Sequence, residues 1–382
     1  MQKVKAVIHL DNIQANAKQF SSLTGKRLCA VVKADAYGHG AEQVVAALSG
    51  VADCFAVALL EEAMAIRVAA CGKEILVFTP PTTEKEVYML AVNGFTASVD
   101  SLKTARLICR CCDKYRLPIR VHLKVNTGMN RYGMNVQTLG KVCKLLQNDP
   151  YVKARGIYSH LCECSLVRAE KQKEIFLRMQ RVAKGYFSTL IAHLGATYGA
   201  LLGENYTFDM VRIGLGLYGY LPCGVDAETG VSMETIERLY LKKGMTVFAK
   251  VVANRKFVFG GLGYGAETDG ANFDRLSVCR VGYADGFLRQ RENGMSAWQD
   301  NANNLCMDAC IRFGDFTKGE WLPILLDAEE TAKKTGTIAY EVLCAATRRA
   351  ELIYDDDVAF CGREYTRRAK GKEGALARIY EE

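Results

Sequence analysis

No apolar run in the sequence approaches the roughly 20 residues that a membrane-spanning helix needs, so neither a membrane partner nor a helical span is expected. The start reads as leaderless, because Met1 is followed by Gln2, Lys3, Val4, Lys5 and soon a polar helix. Charge of one sign is not concentrated anywhere. Fifty Lys plus Arg against 42 Asp plus Glu give a net charge of +8, but the basic residues are spread along the whole chain, which argues against a nucleic-acid partner. Histidine is scarce: all five, His9, His39, His122, His160 and His193, precede residue 194. There is no low-complexity tract and no repeat beyond an alternation of strand and helix. What is abundant is cysteine. Its count of 15 is odd and cannot close completely within one chain, so the expectation is a reduced, cytoplasmic protein. With 382 residues, 49% hydrophobic and 24% charged, the chain can build a core of two domains, or of one large barrel with an appendage.

Short apolar runs alternate with amphipathic helical stretches through the first ~230 residues, the pattern of a parallel sheet. Eight candidate strands fall at 28–33, 54–58, 75–78, 95–99, 119–125, 156–160, 189–193 and 210–214. Eight such units predict an α/β fold, a (β/α)8 TIM barrel, with an open doubly wound sheet as the alternative. After Pro222 the texture becomes β-rich without regular helices. The expected strands there are 250–259, 275–281 and 356–361, and 289–304 reads as a polar surface loop. The barrel is therefore assigned to 1–232, with a short N-terminal strand left to either domain, and a C-terminal mainly-β domain to 233–382.

Barrels of this kind place their active sites at the C-terminal ends of the strands. The polar residues expected there are few: Lys33 after the first strand; Lys124, Asn126 and Arg131 after the fifth; His160 after the sixth; Thr197 after the seventh; Arg212 and Gly214 at the eighth. A lysine behind five small or apolar residues is expected to be largely buried, which lowers its pKa and suits Schiff-base chemistry with a carbonyl cofactor. A snorkelling lysine is the plain alternative. His160 read alone suggests a satisfied core histidine. Thr197, Gly214 and Leu215 fit the phosphate cup that barrels often form after their last two strands, although glycines there also suit ordinary turns. Cys162 and Cys164 follow His160 at alternate positions, but tetrahedral zinc would need a further ligand, so no metal is assigned.

These residues resemble a known family, the pyridoxal-phosphate-dependent alanine racemases. Ala30 to Gly40, reading AVVKADAYGHG, is similar to the family's cofactor-lysine signature; Lys124 to Gly133, KVNTGMNRYG, resembles its second signature. Gly263-Tyr264-Gly265-Ala266 resembles the catalytic-tyrosine segment, and Gly282-Tyr283-Ala284-Asp285-Gly286 with Cys306-Met307-Asp308 completes the set. The resemblance implies interconversion of L- and D-alanine, for peptidoglycan, by two bases: Lys33, which carries pyridoxal 5'-phosphate, and Tyr264. It implies a homodimer in which Tyr264 and Met307 reach the partner's site. Arg212 would face the pyridine nitrogen and His160 would pack on the ring. Tyr37, Thr197, Gly214 and Leu215 would hold the phosphate, and Arg131 and Met307 would meet the substrate. Tyr283 supports this set, as does Lys124, which is often carbamylated in family members.

The chain departs from the family pattern in places. Gly195-Ala196-Thr197-Tyr198 replaces a segment with Asn-Ser-Ala, Asn126 replaces an Asp, and Arg348 stands where a tyrosine lines the substrate entrance. Serine or another small amino acid is thus an alternative substrate, and a cofactor-binding homologue with weak activity an alternative role. A cofactor-carrier barrel lacks the second domain, and a decarboxylase on this plan usually carries a glycine triplet and a catalytic cysteine that are not evident here.

Overall fold

The computed structural model describes residues 4–222, 226–257, 275–289 and 305–354. Tyr264, the expected strand at 356–361 and most of the expected loop at 289–304 lie outside the described residues.

The described chain contains fourteen strands: β1 (Lys5–Ile8), β2 (Arg27–Val31), β3 (Cys54–Val57), β4 (Glu74–Val77), β5 (Thr96–Val99), β6 (Ile119–Lys124), β7 (Val152–Tyr158), β8 (Ile191–His193), β9 (Met210–Ile213), β10 (Met245–Lys256), β11 (Arg275–Cys279), β12 (Cys310–Phe313), β13 (Trp321–Leu325) and β14 (Glu351–Tyr354). β2 to β8 pair in sequence order, each parallel to the next, and β9 returns to pair in parallel with β2, which leaves β8 and β9 at the two ends of the eight-stranded order. This is the (β/α)8 barrel expected from the eight apolar runs, not the open sheet. At the seam between β8 and β9, Asp209 N–H donates to Ala192 O at 3.0 Å and Arg212 N–H to Gly195 O at 3.0 Å. The Asp209 carboxylate also accepts from Ala192 N–H at 2.7 Å.

The helices outside the barrel follow from local chemistry. In the helix Leu102–Tyr115, the Ser101 hydroxyl accepts Thr104 N–H at 3.1 Å, satisfying an otherwise orphaned donor of the first turn. Ala105, Ile108, Cys111 and Cys112 recur at helical spacing and bury one face. Asn135 starts the helix Val136–Gln147 in the same way, and Leu139, Val142, Cys143 and Leu146 face inward. Buried cysteines thus act as small apolar residues. Burial pushes the thiols of Cys112 and Cys143 up to about 12, so neither ionises at neutral pH.

The chain separates into two compact units, Asp11–Lys242 and the N-terminal ten residues together with the chain from Lys243 onward. In the second unit the sheet order is β12-β11-β10-β1-β14, with β13 also pairing with β10. The N-terminal strand β1 joins this sheet, antiparallel to β10 and parallel to β14. The expectation of no regular helix here is corrected by Ala328–Thr335 and Ala339–Ala346. The first of these has legible causes. Asp327 accepts the N–H groups of Glu329 and Glu330, and Glu329–Lys333 and Glu330–Lys334 pair one turn apart.

Candidate active site

β2 ends at Val31, and the chain then leaves the strand direction abruptly. Ala34, Asp35, Ala36 and Tyr37 are all left-handed, with φ of 53, 51, 53 and 54°. Each such residue costs about 1–2 kcal/mol, so the run costs about 4–8 kcal/mol and persists only because surrounding bonds hold it. Ala36 N–H donates to Val32 O at 2.9 Å and Gly40 N–H to Asp35 O at 3.0 Å. The Asp35 carboxylate accepts Ala41 N–H at 2.7 Å, and the Glu62 carboxylate accepts Ala34 N–H at 2.7 Å. The turn leaves Lys33 half-buried rather than largely buried as its apolar run suggested. It also turns Tyr37 back into the protein.

Tyr37 then meets the ends of the last strands. A Cβ at position 214 would lie 2.6 Å from the Tyr37 hydroxyl, so only glycine permits that approach. Thr197, buried at the end of the β8 connection, accepts Gly216 N–H at 3.3 Å, within the 3-10 turn Leu215–Tyr218. Tyr37, Thr197, Gly214 and Leu215 therefore converge, although they come from three different loops.

Arg212 on β9 is buried and donates in five directions: to His193 Nδ1 at 3.0 Å, His193 O at 2.9 Å, Ser159 O at 2.7 Å, Leu194 O at 3.0 Å and His160 Nδ1 at 3.3 Å. Burial lowers its pKa only to about 10, so it keeps its charge at neutral pH. Arginine cannot accept, which sets the proton positions in the buried chain behind it. His193 Nδ1 must be bare, so its Nε2–H donates to His122 Nδ1 at 2.9 Å, and the His122 proton sits on Nε2. That Nε2–H has no hydrogen-bond partner among the described residues, and the Glu74 carboxylate, which accepts from Thr96, stands 3.7 Å from it.

Burial and then Arg212 hold His193 and His160 neutral, both well below the usual histidine range; Lys124 and Arg131, and Lys33 more weakly, add to the effect on His160. Burial lowers His122 to about 4. Lys124, at the end of β6, is buried with its ammonium 4.4 Å from the Tyr158 ring centre. Burial, then Arg212 and Arg131, hold that ammonium well below the usual lysine range. Tyr158 stacks on His193 with ring centres 4.9 Å apart, and its hydroxyl bonds the Ser98 hydroxyl at 2.6 Å.

Arg131 is exposed on the loop after β6. Asn126 shapes that loop by accepting the N–H groups of Gly128 at 3.0 Å and Asn130 at 3.1 Å while donating to Asn130 Oδ1 at 2.9 Å.

Tyr283, Met307 and Arg348 belong to the second unit. There Tyr283 N–H donates to Cys306 O and Ala284 N–H to Met307 O, both at 3.0 Å, which brings the Tyr283 turn onto the Met307 loop. Arg348 and Tyr283 line one cavity of about 520 Å³ with Glu341 and Arg289. Sequence reasoning did not single out Glu62, His122, Tyr158 or His193. The pairs His122/Lys124 and Tyr158/His160 carried a signal, being polar residues two apart in apolar strands and hence on one face.

Comparison with known proteins places this geometry. Residues 8–222 match the family described as "Alanine racemase, N-terminal domain" and residues 244–354 "Alanine racemase, C-terminal domain". The alanine racemase of Treponema pallidum is 30% identical over 380 residues, covering 92% of this chain and 98% of its own length. That of Nostoc is 29% identical over 91% of this chain and 95% of its own length. Among solved structures, an alanine racemase of Clostridium difficile in complex with cycloserine has a TM-score of 0.78 at 26% identity, covering 92% of this chain and 95% of that one. The alanine racemase of Corynebacterium glutamicum gives 0.76 at 26% identity, over 93% and 100%. A parallel barrel that gathers a strand-end lysine, a buried arginine and a hydroxyl-lined glycine corner, in a chain that matches one family over both its units, is an amino-acid racemase and belongs to the alanine racemase family.

Proposed function

We propose that the protein interconverts L- and D-alanine with pyridoxal 5'-phosphate held at the barrel mouth. The observation that carries this reading is the meeting of three groups there: Lys33 on its constrained turn, the buried Arg212 with its five acceptors, and the corner formed by Tyr37, Thr197, Gly214 and Leu215. That corner fits a phosphate, because the absent Cβ of Gly214 admits a hydroxyl where a side chain would otherwise stand. When bound, the cofactor supplies an electron sink that makes the substrate Cα–H acidic.

The chain's own residues supply the rest. Lys33 binds the cofactor through its amine and moves a proton at Nζ on one face. Tyr264, from the partner subunit of a homodimer, serves the opposite face, and two opposed bases are what inversion at one carbon requires. Arg212 presents a permanent cation to the pyridine nitrogen, and its donor geometry is fixed from behind by His193 and by the carbonyls of Ser159 and Leu194. His160 packs beside it. Arg131 receives the substrate carboxylate with Met307 of the partner nearby, and Lys124, Tyr283 and Arg348 support the site. The protein would act in the cytoplasm and supply D-alanine for peptidoglycan. Incubation of purified protein with L-alanine and L-serine, following loss of optical rotation, tests the reading. Racemisation of alanine above serine, abolished in Lys33→Ala, is expected. Activity that survives in Lys33→Ala would overturn it.

A further inference from the structure

Glu62 sits in the first turn of the helix Leu60–Ile66, and an ordinary role accounts for only part of what it does. One carboxylate oxygen accepts Leu59 N–H at 3.0 Å and Ala58 N–H at 2.7 Å, which caps its own helix. The other accepts Ala34 N–H at 2.7 Å, the first amide after Lys33, from a residue 28 positions away in sequence. No cation pairs with Glu62 among the described residues, so its charge is directed wholly at backbone donors. Charge-assisted bonds of this kind are stronger than neutral ones.

The bond to Ala34 falls where the backbone most needs it. Val32 still has φ −119° and ψ 24°, while Ala34 to Tyr37 are left-handed. Lys33 is therefore the junction between a strand end and a strained turn. The backbone bonds from Ala36, His39 and Gly40, and that from Ala41 to the Asp35 carboxylate, lie beyond Lys33 and within residues 32–41. The Glu62 bond to Ala34 ties the junction to a different barrel unit, the segment that follows β3.

We propose that Glu62 is a positioning residue: its carboxylate clamps the amide after Lys33 to the loop after β3, so that the amine is already held in place at the barrel mouth before the cofactor arrives. The proposal rests on the reading of Lys33 as the cofactor lysine. It assigns Glu62 no contact with substrate or cofactor.

Glu86 provides the control. It accepts Thr82 N–H at 2.7 Å and Thr83 N–H at 2.9 Å at the start of the helix Glu84–Val92, and so caps its helix without reaching the Lys33 turn. The experiment uses the full chain, prepared with and without pyridoxal phosphate, as Glu62→Gln, Glu62→Asp, Glu86→Gln and Lys33→Ala. Three quantities are read: the Kd for pyridoxal phosphate by absorbance titration, amide hydrogen exchange of residues 34–38 in cofactor-free protein, and Tm. Loss of one charge-assisted bond is expected to weaken cofactor binding and to speed exchange of these amides by about tenfold each in Glu62→Gln. Tm should fall no further than in Glu86→Gln, which should leave the Kd and the 34–38 amides unchanged. Glu62→Asp, whose shorter side chain withdraws the carboxylate, should behave like Glu62→Gln. Binding and exchange within twofold of the parent in Glu62→Gln would overturn the proposal, as would equal losses in Glu86→Gln. Should Lys33→Ala keep both its cofactor adduct and its activity, the reading of Lys33 itself fails. A defective Lys33→Ala beside an unaffected Glu62→Gln removes only the role of Glu62.

Discussion

Acid should destabilise the barrel through its histidines, well before ordinary carboxylates protonate. His122, His160 and His193 are kept neutral chiefly by burial and then by charged neighbours, Arg212 foremost for His160 and His193; for His122, Glu74 opposes the shift while Arg212, Arg27 and Arg155 reinforce it. In the unfolded chain each returns to an ordinary value of about 6.5. The folded pKa is therefore below the unfolded one, and the unfolded chain binds protons that the folded chain refuses. Stability is complete above pH 6.5 and is lost as pH falls toward about 4, where His122 begins to accept its proton in the folded state. His122 contributes a slope of about 1.4 kcal/mol per pH unit within that window, or about 3 kcal/mol over two units of acidification, and His160 and His193 steepen the loss in the same direction. Urea denaturation at pH 7, 6, 5.5 and 5, followed by circular dichroism, measures the slope. His193→Gln, which keeps an acceptor for Arg212 and a donor for His122, should make it shallower. A denaturation midpoint that does not move between pH 6.5 and 5 would refute the reasoning.

Two further outcomes follow from single contacts. In Gly156→Ala the new methyl would lie 2.7–2.8 Å from three ring atoms of His122, whose ring is tied to His193 at 2.9 Å. The overpacking and the lost bond together should cost about 2–4 kcal/mol by denaturation, and a loss under about 0.5 would show that the ring is free to move. Lys124, whose charged form is disfavoured by burial and then by Arg212 and Arg131, has an amine able to add to carbon dioxide, forming an N–C bond and releasing a proton to leave a carbamate anion whose charge those arginines would favour. Protein in 13C-bicarbonate should show one carbamate resonance that disappears in Lys124→Arg; its absence from the parent protein would sink the idea.

The barrel was legible because its strands are short apolar runs at regular intervals, and their observed limits fall within a few residues of those runs. The two C-terminal helices were hidden, although the Asp327 cap and the Glu–Lys pairs carried the signal, because the surrounding β pattern outweighed eight-residue segments. Lys33 was visible as a strand-end amine. Its left-handed turn was not, since Ala34, Asp35 and Ala36 have no intrinsic preference for that conformation and adopt it only under bonds from elsewhere. The contacts of Asn126 with Gly128 and Asn130 were not legible either, since they depend on the path of the loop after β6.

The sequence by itself determined the element types, the parallel barrel and the residue classes at its mouth, because side-chain periodicity and strand-end position are local properties. Only the tertiary structure decided that β9 closes on β8 through Asp209 and Arg212, that Glu62 reaches Ala34 across 28 residues, and that Arg212 sets the proton positions in His193 and His122. Those are relations between distant segments, and no local preference encodes a bond whose donor and acceptor meet only after the barrel has closed.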